Sequence, residues 1–187
     1  MSATLSIGDL AQEFDPAVLA RVLERGRSTG AGFSEIFIED RRSTSASLDD
    51  GTVDSVSNSR SLGAGIRVIS GDTTGYAHTT DLTEAGLLAA ADAAARAASR
   101  GDGGKHTVSL SAPRRQRVND VRIAPASVAK TRKIELLMLA NDAARGSDSS
   151  IVQVSAGYSD STRRILVANS DGVLASDERS EEHTSEL

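Results

Sequence analysis

The sequence predicts an α+β protein, with antiparallel strands in one or two curved sheets and about three helices packed on one face. Three observations carry that reading. Runs rich in β-branched and hydroxyl residues are separated by turn signals at Asp49-Asp50-Gly51, Gly71-Asp72 and Asp171-Gly172. Three stretches, starting near Pro16, Leu82 and Ser127, have the apolar spacing or alanine content of helices. A helix followed by a strand hairpin occurs twice, at 16–59 and at 127–176, which suggests a weak structural duplication.

The first helix opens at Asp15-Pro16, where the aspartate accepts from first-turn N–H groups and proline is already set for the first helical position. Val18, Leu19, Val22 and Leu23 form its apolar stripe, and Gly30 and Gly32 stop it. Glu35 to Glu39 is short and branched, so it reads as a strand running on through a Ser/Thr-rich segment to Leu48. Asp49-Asp50-Gly51 turns the chain back into Thr52–Asn58, where the spacing of Val53 and Val56 predicts a bulge or a twisted edge. Gly65–Ile69 is read as a further strand, turned by Gly71-Asp72 into Thr73–Thr79. Together these strands form an antiparallel meander.

Thr80-Asp81 with Glu84 reads as a helix start, and Leu82–Arg100 is rich in alanine, the best helix former. Its small side chains let it lie close on a sheet, and Gly101–Gly104 ends it. Residues 101–126 form a candidate sub-boundary, with short strands expected at Thr107–Leu110 and Gln116–Ile123, broken by Pro113 and Pro125. A third helix is expected over Ser127–Ala144. Strands follow at Ile151–Tyr158, Arg164–Ala168 and Val173–Ser176, with turns at Asp160-Ser161 and Asp171-Gly172.

Composition narrows the function classes. The 187 residues are 39% hydrophobic and include no cysteine, which excludes disulfides and thiolate metal sites and suits a cytoplasmic location. Aromatic residues make up 3%, too few rings for base stacking, and the net charge of -5 gives no footprint for nucleic acid. No apolar run approaches the roughly 20 residues of a membrane span, so no membrane partner is expected. The last nine residues, Arg179 to Leu187, are polar almost throughout. One allowed reverse translation of them resembles a common sequencing-library adapter read in frame. The segment 179–187 is therefore expected to be a non-native tail outside a domain at 1–178, which implies a reading frame that continues and a truncated chain.

Candidate chemistry is sparse. A metallopeptidase needs about three imidazole or carboxylate ligands and a base for the bound water. His78 and His106 stand alone, His183 lies in the tail, and neither His-Glu-x-x-His nor His-Glu-x-x-x-His occurs. Gly63-x-Gly65 opens a strand and has Val68 where a dinucleotide fingerprint needs its third glycine, so it reads as glycines easing close strand approach. Asp49, Asp50 and Asp171 are explained as turn residues. Arg114, Arg115 and Arg117 form a basic cluster that reads as a solvated face or subunit contact before a nucleic-acid site. Tyr76 with Thr73, Thr74, Thr79 and Thr80 lines a strand whose edge suits peptide addition, although threonine is favoured in sheets in any case.

The block Gly63 to Glu84, together with Ser47-Leu48-Asp49-Asp50-Gly51-Thr52-Val53-Asp54, resembles the amino-terminal half of the TldD/PmbA family, the metallopeptidases once called modulators of DNA gyrase. The resemblance extends over about residues 15–178, is strongest from Arg41 to Glu84, and at Gly75-Tyr76-Ala77-His78-Thr79 is nearer the TldD branch. It implies a parent enzyme that cleaves peptides or unfolded polypeptides with metal-activated water, using zinc, beside a PmbA-like or identical subunit. The family's His-Glu-x-x-x-His motif and cysteine ligand belong to a carboxy-terminal half and match no position here. No residue of this chain is therefore assigned a catalytic, cofactor or metal role. The alternative reading is a regulatory or partner-binding module, gyrase- or DNA-associated.

Overall fold

The computed structural model describes residues 10–99, 107–111, 114–115 and 123–186. A single 3-10 turn, Leu10–Gln12, buries Leu10 and leads into α1, Pro16–Gly26. The Asp15 carboxylate accepts from Ala17 N at 2.8 Å and Pro16 fills the first turn, as the sequence predicts. Helix α1 buries Leu19, Val22 and Leu23.

Strand β1, Phe33–Asp49, lies inside the sheet and alternates in burial, with Ser34, Ile36, Ile38 and Asp40 turned inward on one face. A two-residue turn joins it to β2, Thr52–Ser70, with Asp50 at φ 50° and Gly51 at φ 77°. Two successive positive φ values match the twist of paired strands. The expected bulge is present: Ser47 faces Ser55 but Leu48 faces Val53, leaving Asp54 as the extra residue. Gly51→Ala forces a side chain into the left-handed region and is expected to cost about 1–2 kcal/mol in urea unfolding. Gly32→Ala, at an open position with nothing within 4 Å, is the control expected to leave stability nearly unchanged.

One expectation fails at β2. Thr52–Asn58 and Gly65–Ile69 are a single strand of 19 residues, because the intervening segment keeps its ladder to β1 throughout. The glycines are places of close approach rather than breaks. A Cβ on Gly63 would come 3.1 Å from the Thr79 carbonyl oxygen, and one on Gly65 would overlap the Tyr76 hydroxyl. Strand β3, Thr73–Thr79, pairs with β2 from Ser70 back to Ala64.

Helix α2, Glu84–Ala98, begins later than expected, with Thr83 as its cap: the Thr83 hydroxyl accepts from Gly86 N at 3.2 Å. Asp81 instead holds the cap in place, accepting from Thr83 N and Thr83 Oγ1 at 3.0 and 2.7 Å. The expected strand at Thr107–Leu110 is absent. That segment is nonetheless anchored, since Val108 is buried and its N–H donates to Glu24 at 3.1 Å. Most of Gln116–Ile123, and Gly101–Gly104, lie outside the described residues.

A two-residue strand, β4, Arg114–Arg115, and a 3-10 turn, Pro125–Ser127, precede α3, Lys130–Ser147. Strand β5, Ser155–Asn169, begins after Ile151–Val154, which forms no strand, and runs straight through Asp160-Ser161, where a turn was expected. The alternation is unbroken there: Asp160 is buried on the helix side, and Ser161 faces Ser43 on the opposite side. The turn at Asp171-Gly172 is present, with Gly172 at φ 86°. Strand β6, Leu174–Glu186, includes most of the segment set aside as a tail, paired with β5 as far as Ala156 opposite Glu186. Residues 179–186 contain neither glycine nor proline, and the outer edge of β5 supplies main-chain partners whatever the side chains.

The sheet order is β3-β2-β1-β5-β6-β4, antiparallel except that β4 runs parallel to β6. All three helices pack on the face carrying Ile36, Ile38, Ala46 and Leu48, so the α+β architecture with helices on one face holds. The apolar interior is divided in two. The larger core joins α1 and α2 to Ile36 and Ile38 of β1, Ile66 and Val68 of β2 and Leu166 and Ala168 of β5, and the smaller joins Leu137 of α3 to Ala46, Leu48, Ala156 and Tyr158.

Candidate functional site

Between the two cores the helix-side face of the sheet is polar. The register aligns Asp40 with Leu62 and Arg164, Arg42 with Arg60 and Thr162, and Thr44 with Asn58 and Asp160. Asp40 is only 1% exposed. It accepts from Arg60 Nε and Nη2 at 2.9 and 3.2 Å and from Arg164 Nη2 at 2.5 Å, while Arg42 stands 3.6 Å away. Arg164 also donates to Glu13 at 2.6 Å. Helix α3 closes the lower side: Lys133, 4% exposed, reaches Asp160 at 2.5 Å and lies 5.6 Å over the Tyr158 ring.

Burial pushes the Asp40 carboxyl up, but hydrogen bonds from Arg60 and Arg164 outweigh it, and the group stays below the usual carboxylate range. Burial likewise pulls Arg164 down, while its bonds to Asp40 and Glu13 raise it overall. The network thus holds its charges in place. Beside it a cleft of about 470 Å³ opens between β1, β2 and the start of α3, lined by Arg42, Arg60, Lys130 and Lys133 among others.

This cluster was not singled out as a site in the sequence, although a signal was there. Asp40 continues the buried period of Ile36 and Ile38, and Arg164 continues that of Leu166 and Ala168. A charge on an inward position of a strand must find partners.

The residues that were singled out are scattered. His78 is exposed on β3, His106 lies outside the described residues, and the side chain of His183 does too. Asp49 accepts from Ser155 and Gln153 at 2.8 and 3.1 Å, bonds that hold its carboxyl below the usual range. Asp50 forms the hairpin turn and pairs with Arg145. Asp171 is in a turn in which Asn169 accepts from the N–H groups of Asp171 and Val173. The backbone of Arg114 and Arg115 forms β4, and Arg117 lies outside the described residues. Tyr76 is 62% exposed and crosses over Gly65. On the uncovered side of the sheet the Ser/Thr-rich segment forms hydroxyl pairs, Ser43 with Ser59, Ser45 with Ser57 and Ser47 with Ser55, at 2.7–2.9 Å.

Among the described residues no three His, Cys, Asp or Glu side chains are grouped to hold a metal ion. The donor sets present do not fit zinc, since Asp40 and Asp160 are already taken by guanidinium and ammonium groups. No described helix is long and apolar enough to cross a membrane.

Two family models match in succession, PmbA/TldA metallopeptidase domain 1 over residues 34–98 and the PmbA/TldA metallopeptidase central domain over 123–181. The chain belongs to the TldD/PmbA family. In this family member, the single sheet is shared between the two matched regions, because β1 pairs with β2 on one side and β5 on the other. A metalloprotease TldD homolog from Haemophilus influenzae is 30% identical over 154 residues, covering 79% of this chain and 31% of that relative. The chain therefore spans about a third of the length of that curated relative. Solved structures share the fold. A protein from Bacteroides thetaiotaomicron, named as a candidate modulator of DNA gyrase, superposes with TM-score 0.68 at 16% identity over 91% of this chain and 40% of its own. TldE from Thermococcus kodakarensis gives 0.66 at 20% identity over 89% of this chain and 38% of its own.

Proposed function

We propose that this chain is the non-catalytic scaffold portion of a TldD-like metallopeptidase, a protein that cleaves peptides or unfolded polypeptides with metal-activated water. The observation that carries the reading is the ordered match to domain 1 and the central domain of that family, with both regions built into one sheet. The scaffold supplies a rigid sheet, fixed by the Asp40 network, and works in the cytoplasm against a PmbA-like or identical subunit. Zinc and the peptide-cleaving groups belong to other residues of the parent protein.

Metal analysis and a fluorogenic-peptide assay on the purified 187-residue chain test this together. The expected result is zinc far below one per chain and no cleavage above the buffer rate. Stoichiometric zinc that disappears in His78→Ala or His106→Ala would overturn it.

A further inference from the structure

We propose that the cleft between the start of α3 and strands β1 and β2 is an oxyanion-binding site, taking the carboxylate or phosphate group of a small anionic ligand. Its volume of about 470 Å³ exceeds a lone ion and falls within the range of small-molecule pockets. Arg42, Arg60, Lys130 and Lys133 line it, with the Thr44 hydroxyl and Asn58 amide between them. Taken with Arg164 behind it, the cluster sets five cations against the three carboxylates Asp40, Asp160 and Glu13.

That surplus of positive charge is local, because the chain as a whole is acidic at -5. The two cations least engaged by it face the cleft. Arg42 reaches Asp40 only at 3.6 Å, and the Lys130 ammonium has no ion pair among the described residues.

Helix α3 points the same way. Ala129 occupies its cap position and offers no side-chain acceptor, and the first turn contains no acidic residue. It carries Lys130, Arg132 and Lys133 instead; Arg132 pairs with Glu135 and Lys133 with Asp160, which leaves Lys130 as the cation without an ion pair among the described residues at the positive end of the helix. An oxyanion in the cleft accepts from the uncapped N–H groups and pairs with Lys130 and Arg42. The site is independent of the peptidase reading, since it uses none of the parent's metal ligands.

Titration of the full chain with pyrophosphate and with tri-glutamate, followed by calorimetry and by the amide NMR shifts of Lys130 and Thr131, tests the site. Tri-glutamine is the uncharged control. The expected result is saturable binding of at least one anionic probe, weakened at least about tenfold by Arg42→Gln and by Lys130→Ala. Both side chains are exposed, so thermal melting of these variants should match the parent and separate lost binding from lost fold. Binding of tri-glutamate alone assigns a carboxylate source, and binding of pyrophosphate alone a phosphate source. Failure of both anions to bind, equal binding of tri-glutamine, or undiminished affinity in both variants overturns the proposal.

Discussion

Asp40→Ala is expected to remove about 3–5 kcal/mol of stability, read as a fall in the urea midpoint at neutral pH. The carboxylate is the shared acceptor of Arg60 and Arg164, and it lies between the two apolar cores. Without it, Arg164 loses the buried carboxylate of Asp40 2.5 Å away, while its side chain remains 7% exposed. A domain of this size has about 5–15 kcal/mol in all, so the variant approaches unfolding at ordinary temperature. The double variant Asp40→Leu with Arg164→Met should lose much less than the sum of the single changes, because both charges leave together. Additive losses would show that the pair is not coupled as the geometry requires.

The pH dependence has a definite sign. Because the folded-state pKa of Asp40 is depressed, its contribution is fully present above the unfolded value of about 3.9 and is lost as pH falls through the folded value. The gap between the parent and Asp40→Asn should therefore hold from neutral pH down to about 4 and close below it. A gap that stayed constant to pH 2 would assign the loss to packing rather than charge.

Local chemistry made much of this fold legible. Asp15-Pro16, Asp50-Gly51 and Asp171-Gly172 each act through neighbouring backbone, and each is found where its residue types point. Two of the misreadings share one cause. At Asp160-Ser161 and between Asn58 and Gly65, residues favoured in turns lie in strands whose ladders continue on a neighbouring strand, and those ladder bonds decide the conformation. The site was hidden for a related reason. Asp40 and Arg164 are 124 positions apart, and only the pairing of β1 with β5 brings them together. Lys133 was equally obscure, because in a helix of polar composition nothing local marks Lys133, Leu137 and Asn141 as the buried row.

Gly75→Ala is expected to cost about 1–3 kcal/mol or more, although it adds a single methyl group. A Cβ at Gly75 would overlap the Ala94 carbonyl oxygen and come within 2.6 Å of Ala98 N, both of them backbone atoms of α2. The helix cannot retreat cheaply. Leu87, Ala90, Ala91, Ala94 and Ala98 hold it in the larger core, and Arg21–Glu84 and Arg25–Asp92 tie it to α1. Gly65→Ala is the informative comparison. There the obstruction is the Tyr76 ring, an exposed side chain that can swing into solvent, so the loss should be well below that at Gly75. The two sites also differ in how they can be rescued. Tyr76→Ala should relieve Gly65→Ala, whereas no side-chain change at Ala94 or Ala98 should relieve Gly75→Ala, because every residue carries the same carbonyl and amide. Recovery of Gly75→Ala stability by Ala94→Gly would mean that α2 is held off β3 by side chains, and that backbone contact is not what requires glycine at position 75.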